Sequence, residues 1–216
     1  PQRLAVSVSP GMGPVLSVME AWDALRDKGP RRVLPTAVPA LMPNAPAAAV
    51  GIELGAHGGI HAPVSACASG AEAIAYGADL ITLRRADVVV AGGTDAALHP
   101  MTVAAFGAMR ALSTRNSDPQ TASRPFAPDR DGFVLGEGAG ILVLERAEHA
   151  IARGARVLAV LAGSGVTADA YDVARPEPSG AEQERALQLA LERAGLDPGY
   201  VGHVNAHATS TPAGDI

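Results

Sequence analysis

The sequence predicts an α/β protein whose strands are covered on both faces. Three observations carry that expectation. Strand-like and helix-like segments alternate along the chain. The strand-like runs are continuously apolar, as parallel strands buried on both faces are. The composition is that of a folded core, with 48% hydrophobic and 18% charged residues among 216, which argues against disorder.

The elements follow in order. LAVSVS, at 4–9, is rich in β-formers. Residues 14–27 place Val15, Val18, Met19, Trp22 and Leu25 at helical spacing. Residues 30–63 are rich in Pro, Ala and Gly, and their apolar content predicts packed irregular structure or short helices, not a floppy linker. A strand is expected at 63–66. It leads into a helix that carries Ile74, Leu80, Ile81 and Leu83 as apolar positions. ADVVVAGG, at 86–93, reads as a buried parallel strand ending in glycines, and 139–146 and 155–167 read likewise. A helix lies between those last two, with Gly154 as its stop. Residues 180–195 form the clearest amphipathic helix, and VGHVNAHA a last short strand. Strand–helix alternation of this kind builds a sheet with helices on both faces.

Length and charge narrow the function. The chain is long enough to bury a substantial core. Its net charge of −5 does not favour non-specific nucleic-acid binding, although local basic clusters can still act. One cysteine, Cys67, excludes an internal disulfide framework and a multi-cysteine metal site, and fits a reducing compartment. No secretory signal pattern opens the chain and no apolar run is long enough to span a bilayer, so a cytoplasmic location is the default. Both ends are abrupt, which reads as a piece of a longer protein.

Cys67 stands at a strand-to-helix turn with small neighbours, Ala66, Ala68 and Gly70. Unpaired N–H groups at a helix start stabilise a thiolate and can donate to an oxyanion. A buried structural cysteine is the competing reading, and the local pattern leaves both open. Of six histidines, His149 lies in a charged helical stretch, and His57, His61 and His99 have no informative context. His203 and His207 share a face if VNA is a strand. His207 would then sit at the strand's end, before the hydroxyl-rich ATSTP, and strand ends are where α/β sites assemble.

SACASGAEAI, ADVVVAGG, GAMRALSTRN, ASRPFAPDRDGFVLGEGAGILVLE and HVNAHATSTPAGD, in that order, together resemble a β-ketoacyl-acyl-carrier-protein synthase of the type II elongating kind. The resemblance covers essentially the whole chain, and flanking details look actinobacterial. It implies a thiolase-like fold, a layered α-β-α-β-α sandwich of two similar halves. Residues 1–150 would be the first half without its opening elements, and 155–216 the beginning of the second. It implies decarboxylative condensation of an acyl group on Cys67 with malonyl-carrier protein, in fatty-acid elongation. His207 would donate to the developing enolate oxygen. Thr209 and Thr211, with Pro176, would contact the phosphopantetheine arm. Met12 and Phe106 would line an acyl pocket, with Ala37 reaching in from a second subunit. Arg31, Arg32 and Arg110 would dock the carrier protein. Asp131 and Glu137 would organise the site rather than transfer protons.

The resemblance further implies a cytoplasmic homodimer with no metal and no bound cofactor, no nucleic-acid partner and no membrane association. The phosphopantetheine arrives on the acyl- or malonyl-loaded carrier protein. The family's lysine, second histidine and glycine-rich loop would lie beyond Ile216, so this stretch alone is expected to be inactive. Ala208 stands where many members have glycine, and Asp172 where relatives often carry histidine. Other readings are an aromatic-polyketide ketosynthase, a non-decarboxylating thiolase, a non-catalytic carrier-binding partner subunit and a cysteine hydrolase. Cys67 speaks against the partner subunit, the NAHATSTP pattern against the thiolase, and the lack of a water-activating base and orienter against the hydrolase.

Overall fold

A computed structural model describes residues 1–215. Four strands and seven α-helices are assigned among them: β1 Leu4–Ser9, α1 Val15–Lys28, α2 Ala37–Leu41, α3 Ala45–Leu54, β2 Ile60–His61, α4 Ser69–Thr82, β3 Val88–Asp95, α5 Pro100–Ala108, β4 Gly138–Glu145, α6 Ala147–Ala152 and α7 Ala181–Ala194. The chain divides into two compact units, Pro1–Leu144 with Ala206–Ile216, and Glu145–Asn205.

In the first unit the strands form one sheet in the order β2-β1-β3-β4. β1 pairs parallel with both β2 and β3, in registers that place Val6 opposite Ile60 and Val90. β1 is buried at almost every residue, so its apolar run is continuous. One face packs on α4 through Ala5, Val89, Ala91 and Leu80, joined by Ile74 and Leu144. The other packs on α3 through Val6, Val8 and Ala47, joined by Val50 and Ile60.

Glycines let α4 lie unusually close to the sheet. A Cβ on Gly77 would stand 3.1–3.2 Å from side-chain atoms of Val89, Ala91 and Leu144, and one on Gly70 would stand 3.3 Å from the Gly93 backbone. Gly70, among the small residues near Cys67, thus lets the start of α4 press onto the end of β3.

Several expected strands take another form. Residues 63–66 are irregular, and the strand that precedes Cys67 is the two-residue β2. Its brevity follows from Pro63, which has no N–H for a ladder. β4 forms where expected but is exposed at Ile141, Leu142 and Val143, because it is an edge strand with β3 as its one neighbour. In the second unit, 155–167 forms no strand. Apolar sequence favours extension, but a strand needs a ladder partner, and none faces this segment among the described residues. Instead it runs beside α7. The Thr167 hydroxyl donates to the Glu182 carbonyl at 2.7 Å, and the Arg193 guanidinium to the Ser164 carbonyl at 2.9 Å. VGHVNAHA is likewise without strand pairing, so alternation does not place His203 and His207 on a common face. The 30–63 region resolves into short helices, and Gly154, at φ 69°, ends α6 as expected.

Candidate active site

Cys67 sits in a single 3-10 turn, Ala66–Ala68, that runs directly into α4. It is exposed within this stretch of chain. Ala66, just before it, holds a left-handed backbone at φ 51°, a conformation that costs a residue with a Cβ of the order of 1–2 kcal/mol. Ser69 braces this turn. Its hydroxyl accepts from the Ser65 N–H at 2.8 Å and donates to the Ala66 carbonyl at 2.7 Å, and the residue is 1% exposed.

The turn stands at the C-terminal ends of the two central parallel strands. Asp95, the last residue of β3, accepts from the Gly11 N–H at 2.8 Å and the Met12 N–H at 3.0 Å. This fixes the loop that follows β1. A Cβ on Gly11 would approach the Ala66 carbonyl to 3.0 Å, so only glycine fits beneath the cysteine turn without displacement. Met12 is 43% exposed.

The loop carrying His207 returns to this same unit. It is pinned through backbone groups to 124–132. Asp215 is 4% exposed, and its carboxylate accepts the N–H groups of Phe126, Thr209 and Ser210 at 2.9–3.1 Å. Burial pushes its pKa up, but these donors outweigh burial and hold it below the ordinary value. The Arg130 guanidinium donates to the carbonyls of Thr211 and Pro212 at 2.9 Å. The Thr209 and Thr211 hydroxyls lie 3.1 Å apart, and His207 is exposed.

Asp131 accepts from the Thr114 N–H at 2.9 Å and from its hydroxyl at 3.1 Å. Hydrogen bonds from Ser113 and Thr114 hold it well below the usual carboxylate range. Glu137 accepts the Leu98 N–H at 2.8 Å. Both carboxylates therefore act here as fasteners of backbone.

The remaining sequence-chosen residues are dispersed. Phe106, on α5, is half-buried and meets Phe133 edge-on at 5.0 Å. Ala37 opens α2 and is half-buried; Arg31 and Arg32 are exposed on the preceding 3-10 turn. Arg110 is exposed just beyond α5. Pro176 is exposed in the other compact unit. Asp172 accepts the N–H groups of Ala174 and Arg175 in a local turn. Ser69, Asp95, Ser210 and Asp215 were not expected from the sequence. The one available signal was the aspartate closing TSTPAGD, since such residues collect turn N–H groups. Among the described residues no three His, Cys, Asp or Glu side chains group to hold a metal, and no helix is long and apolar enough to cross a membrane.

An exposed cysteine thus stands on a strained turn at parallel strand ends, with a histidine–threonine loop fastened in the same unit. Residues 2–150 match the beta-ketoacyl synthase N-terminal domain and residues 158–216 its C-terminal domain; the chain belongs to the β-ketoacyl synthase family. It is 46% identical over 215 residues to 3-oxoacyl-[acyl-carrier-protein] synthase 2 of Mycobacterium tuberculosis, covering 99% of this chain and 52% of the relative. The enzyme of that name from Staphylococcus aureus is 47% identical over 214 residues, covering 99% and 53%. The chain thus spans about half the length of these curated relatives. Among solved structures, a β-ketoacyl synthase from Burkholderia phymatum matches with TM-score 0.88 and 37% identity, over 99% of this chain and 52% of that one. The AntDE:AntF complex, a type II polyketide acyl-carrier protein with its ketosynthase bound to the hexaketide, matches with TM-score 0.88 and 32% identity, over 99% and 54%. The α/β thiolase-like fold expected from the sequence is the fold of these ketosynthases.

Proposed function

We propose that the protein is a β-ketoacyl-acyl-carrier-protein synthase of fatty-acid elongation that uses Cys67 as its acyl carrier. The observation that carries this reading is the exposed cysteine on its braced left-handed turn at the ends of β1 and β3, in one compact unit with the fastened His207 loop.

The Cys67 thiolate attacks the carbonyl of an acyl thioester, forms the S–acyl bond and expels the carrier's thiolate. Malonyl-carrier protein then binds with its arm along Thr209 and Thr211. The bond to its carboxylate breaks, carbon dioxide leaves, and the electron pair passes into a thioester enolate. His207 donates a hydrogen bond to the enolate oxygen, where charge develops. The enolate carbon attacks the acyl-cysteine carbonyl, and Cys67 leaves as thiolate from the β-ketoacyl product. No bound cofactor or metal is required for these steps. Docking falls to Arg31, Arg32 and Arg110, all exposed. Met12 and Phe106 line the acyl pocket, with Ala37 entering from the second subunit of a cytoplasmic homodimer.

A type II polyketide ketosynthase is the second reading. A ketosynthase bound to a hexaketide shares the fold at 32% identity. The higher identity to 3-oxoacyl synthases, 46–47%, favours fatty-acid elongation. The test is intact-mass analysis of the full-length protein after exposure to acyl-carrier protein. Wild type gains one acyl group on Cys67 and releases condensed product only when malonyl-carrier protein is added; Cys67→Ala gains none and keeps its fold. Equal labelling of Cys67→Ala would sink the assignment, and release of free acid would replace the synthase with a hydrolase.

A further inference from the structure

We infer that Ser210 is a positioning residue that sets the two threonine hydroxyls of the loop as a single donor for the substrate's arm. This rests on the ketosynthase reading above. Ser210 is fully buried and is held by three hydrogen bonds from different parts of the chain. Its N–H donates to Asp215 at 2.9 Å, its carbonyl accepts the Gly132 N–H at 2.9 Å, and its hydroxyl accepts the Arg124 N–H at 3.0 Å. Together they hold Ser210 left-handed, at φ 65°.

That conformation has a geometric consequence. In an extended chain, residues two apart share a face but are separated by about 6.7 Å along the strand. A left-handed residue between them turns the chain back on itself, and here the Thr209 and Thr211 Oγ1 atoms lie 3.1 Å apart. Thr211 Oγ1 also accepts the Gly214 N–H at 3.1 Å. Each hydroxyl has one proton to donate. One proton is used between the pair, and the other is left to point outward. Whichever threonine donates inward, the half-buried pair offers one hydrogen bond at its surface. Its complement is a carbonyl oxygen, the group that a pantetheine arm presents twice in its amides and a plain alkyl thioester lacks beyond its reacting carbon.

The experiment compares single-turnover acylation of Cys67 in the full-length protein by hexanoyl-pantetheine and by S-ethyl hexanethioate. The variants are Ser210→Ala, which keeps a Cβ but loses the hydroxyl, and Ser210→Gly, which loses the hydroxyl and relaxes φ. Thermal melts accompany each. The expected result is a fall in kcat/KM for the pantetheine donor at least tenfold greater than for the ethyl donor in both variants, carried by KM. Equal falls for the two donors would reduce Ser210 to a structural residue and overturn the inference. So would an unchanged pantetheine preference in the better-folded variant. Failure of the parent to acylate Cys67 with either donor would overturn the ketosynthase reading and this inference with it, and is distinguishable because it needs no variant.

Discussion

At the scale of single residues, the cysteine turn and the His207 loop are held by hydroxyls and carboxylates bonded to backbone. Ser69 is the clearest case. It closes the turn ahead of Cys67 with one accepted and one donated hydrogen bond while almost fully buried. Removing it leaves the Ser65 N–H without that acceptor and Ala66 free to relax from its left-handed conformation. Ser69→Ala is expected to cost about 1–2 kcal/mol of stability and to slow Cys67 acylation by about tenfold, the effect of a small misplacement of an attacking atom. Melts and acylation rates read the two effects separately. A rate within twofold of wild type would show that the brace does not orient the nucleophile. None of this bracing was legible beforehand. Cys67 and His207 announced themselves by residue type and motif. Asp95 and Asp215 reach their partners across 84 and 89 positions, and no local pattern encodes such pairings.

At the scale of elements, β1, β3 and α4 were legible because local periodicity and burial agree there, while α1 and α7 were legible from helical spacing alone, since neither holds a buried residue. Residues 155–167 misled because an apolar run specifies extension and burial but not a partner for its ladder. The strand–helix junction at β4 and α6 shows how local charge secures an element of modest length. The Glu145 carboxylate, 9% exposed, pairs with Arg153 and, at 2.9 Å, with His149. The hydrogen bonds from Arg153 and then His149 lower its pKa from 4.5 to about 2. A folded-state pKa below the unfolded value stabilises the fold above the unfolded pKa, and that contribution disappears as pH falls through the folded one. Because Arg153 and His149 are 55% and 39% exposed, screening limits the pair to about 1 kcal/mol at most. Melting temperatures of wild type and Glu145→Gln should differ by a constant amount above pH 4.5 and converge towards pH 2. A constant gap across that window would mean that the stabilisation is packing and not charge.

At the scale of the whole molecule, net charge and local charge oppose each other. This stretch carries −5, a charge that opposes an acidic partner at long range. The carrier docking proposed above would then fall to the exposed arginines at 31, 32 and 110. Charge reversal at Arg31 and Arg32 is expected to raise KM for acyl-carrier protein by at least tenfold at low salt, with kcat nearly unchanged. It should also flatten the salt dependence that wild type shows, because screening acts on the attraction that the variant has lost. Unchanged steady-state kinetics with the carrier-bound substrate would move the docking site elsewhere.

The proposed dimer would place α2 of one subunit at the end of the other's acyl pocket, so chain-length selection is argued at the same scale. Ala37 opens α2 half-buried, with Leu34 and Val38 beside it in sequence and both largely exposed, at 70% and 62%. In the proposed pocket a side chain as small as that of Ala37 would leave room for a long acyl tail. Each methylene that such a pocket buries adds about 0.8 kcal/mol, so a blocked end should weaken long donors in steps and leave short ones alone. Ala37→Phe is therefore expected to shorten the longest acyl chain transferred, with rates for short donors within twofold of wild type. The measurement is a donor series from short to very long acyl-carrier proteins, with the subunit assembly of each variant checked by sedimentation. Equal loss at every length, accompanied by dissociation, would assign Ala37 to subunit packing and take it out of the acyl pocket.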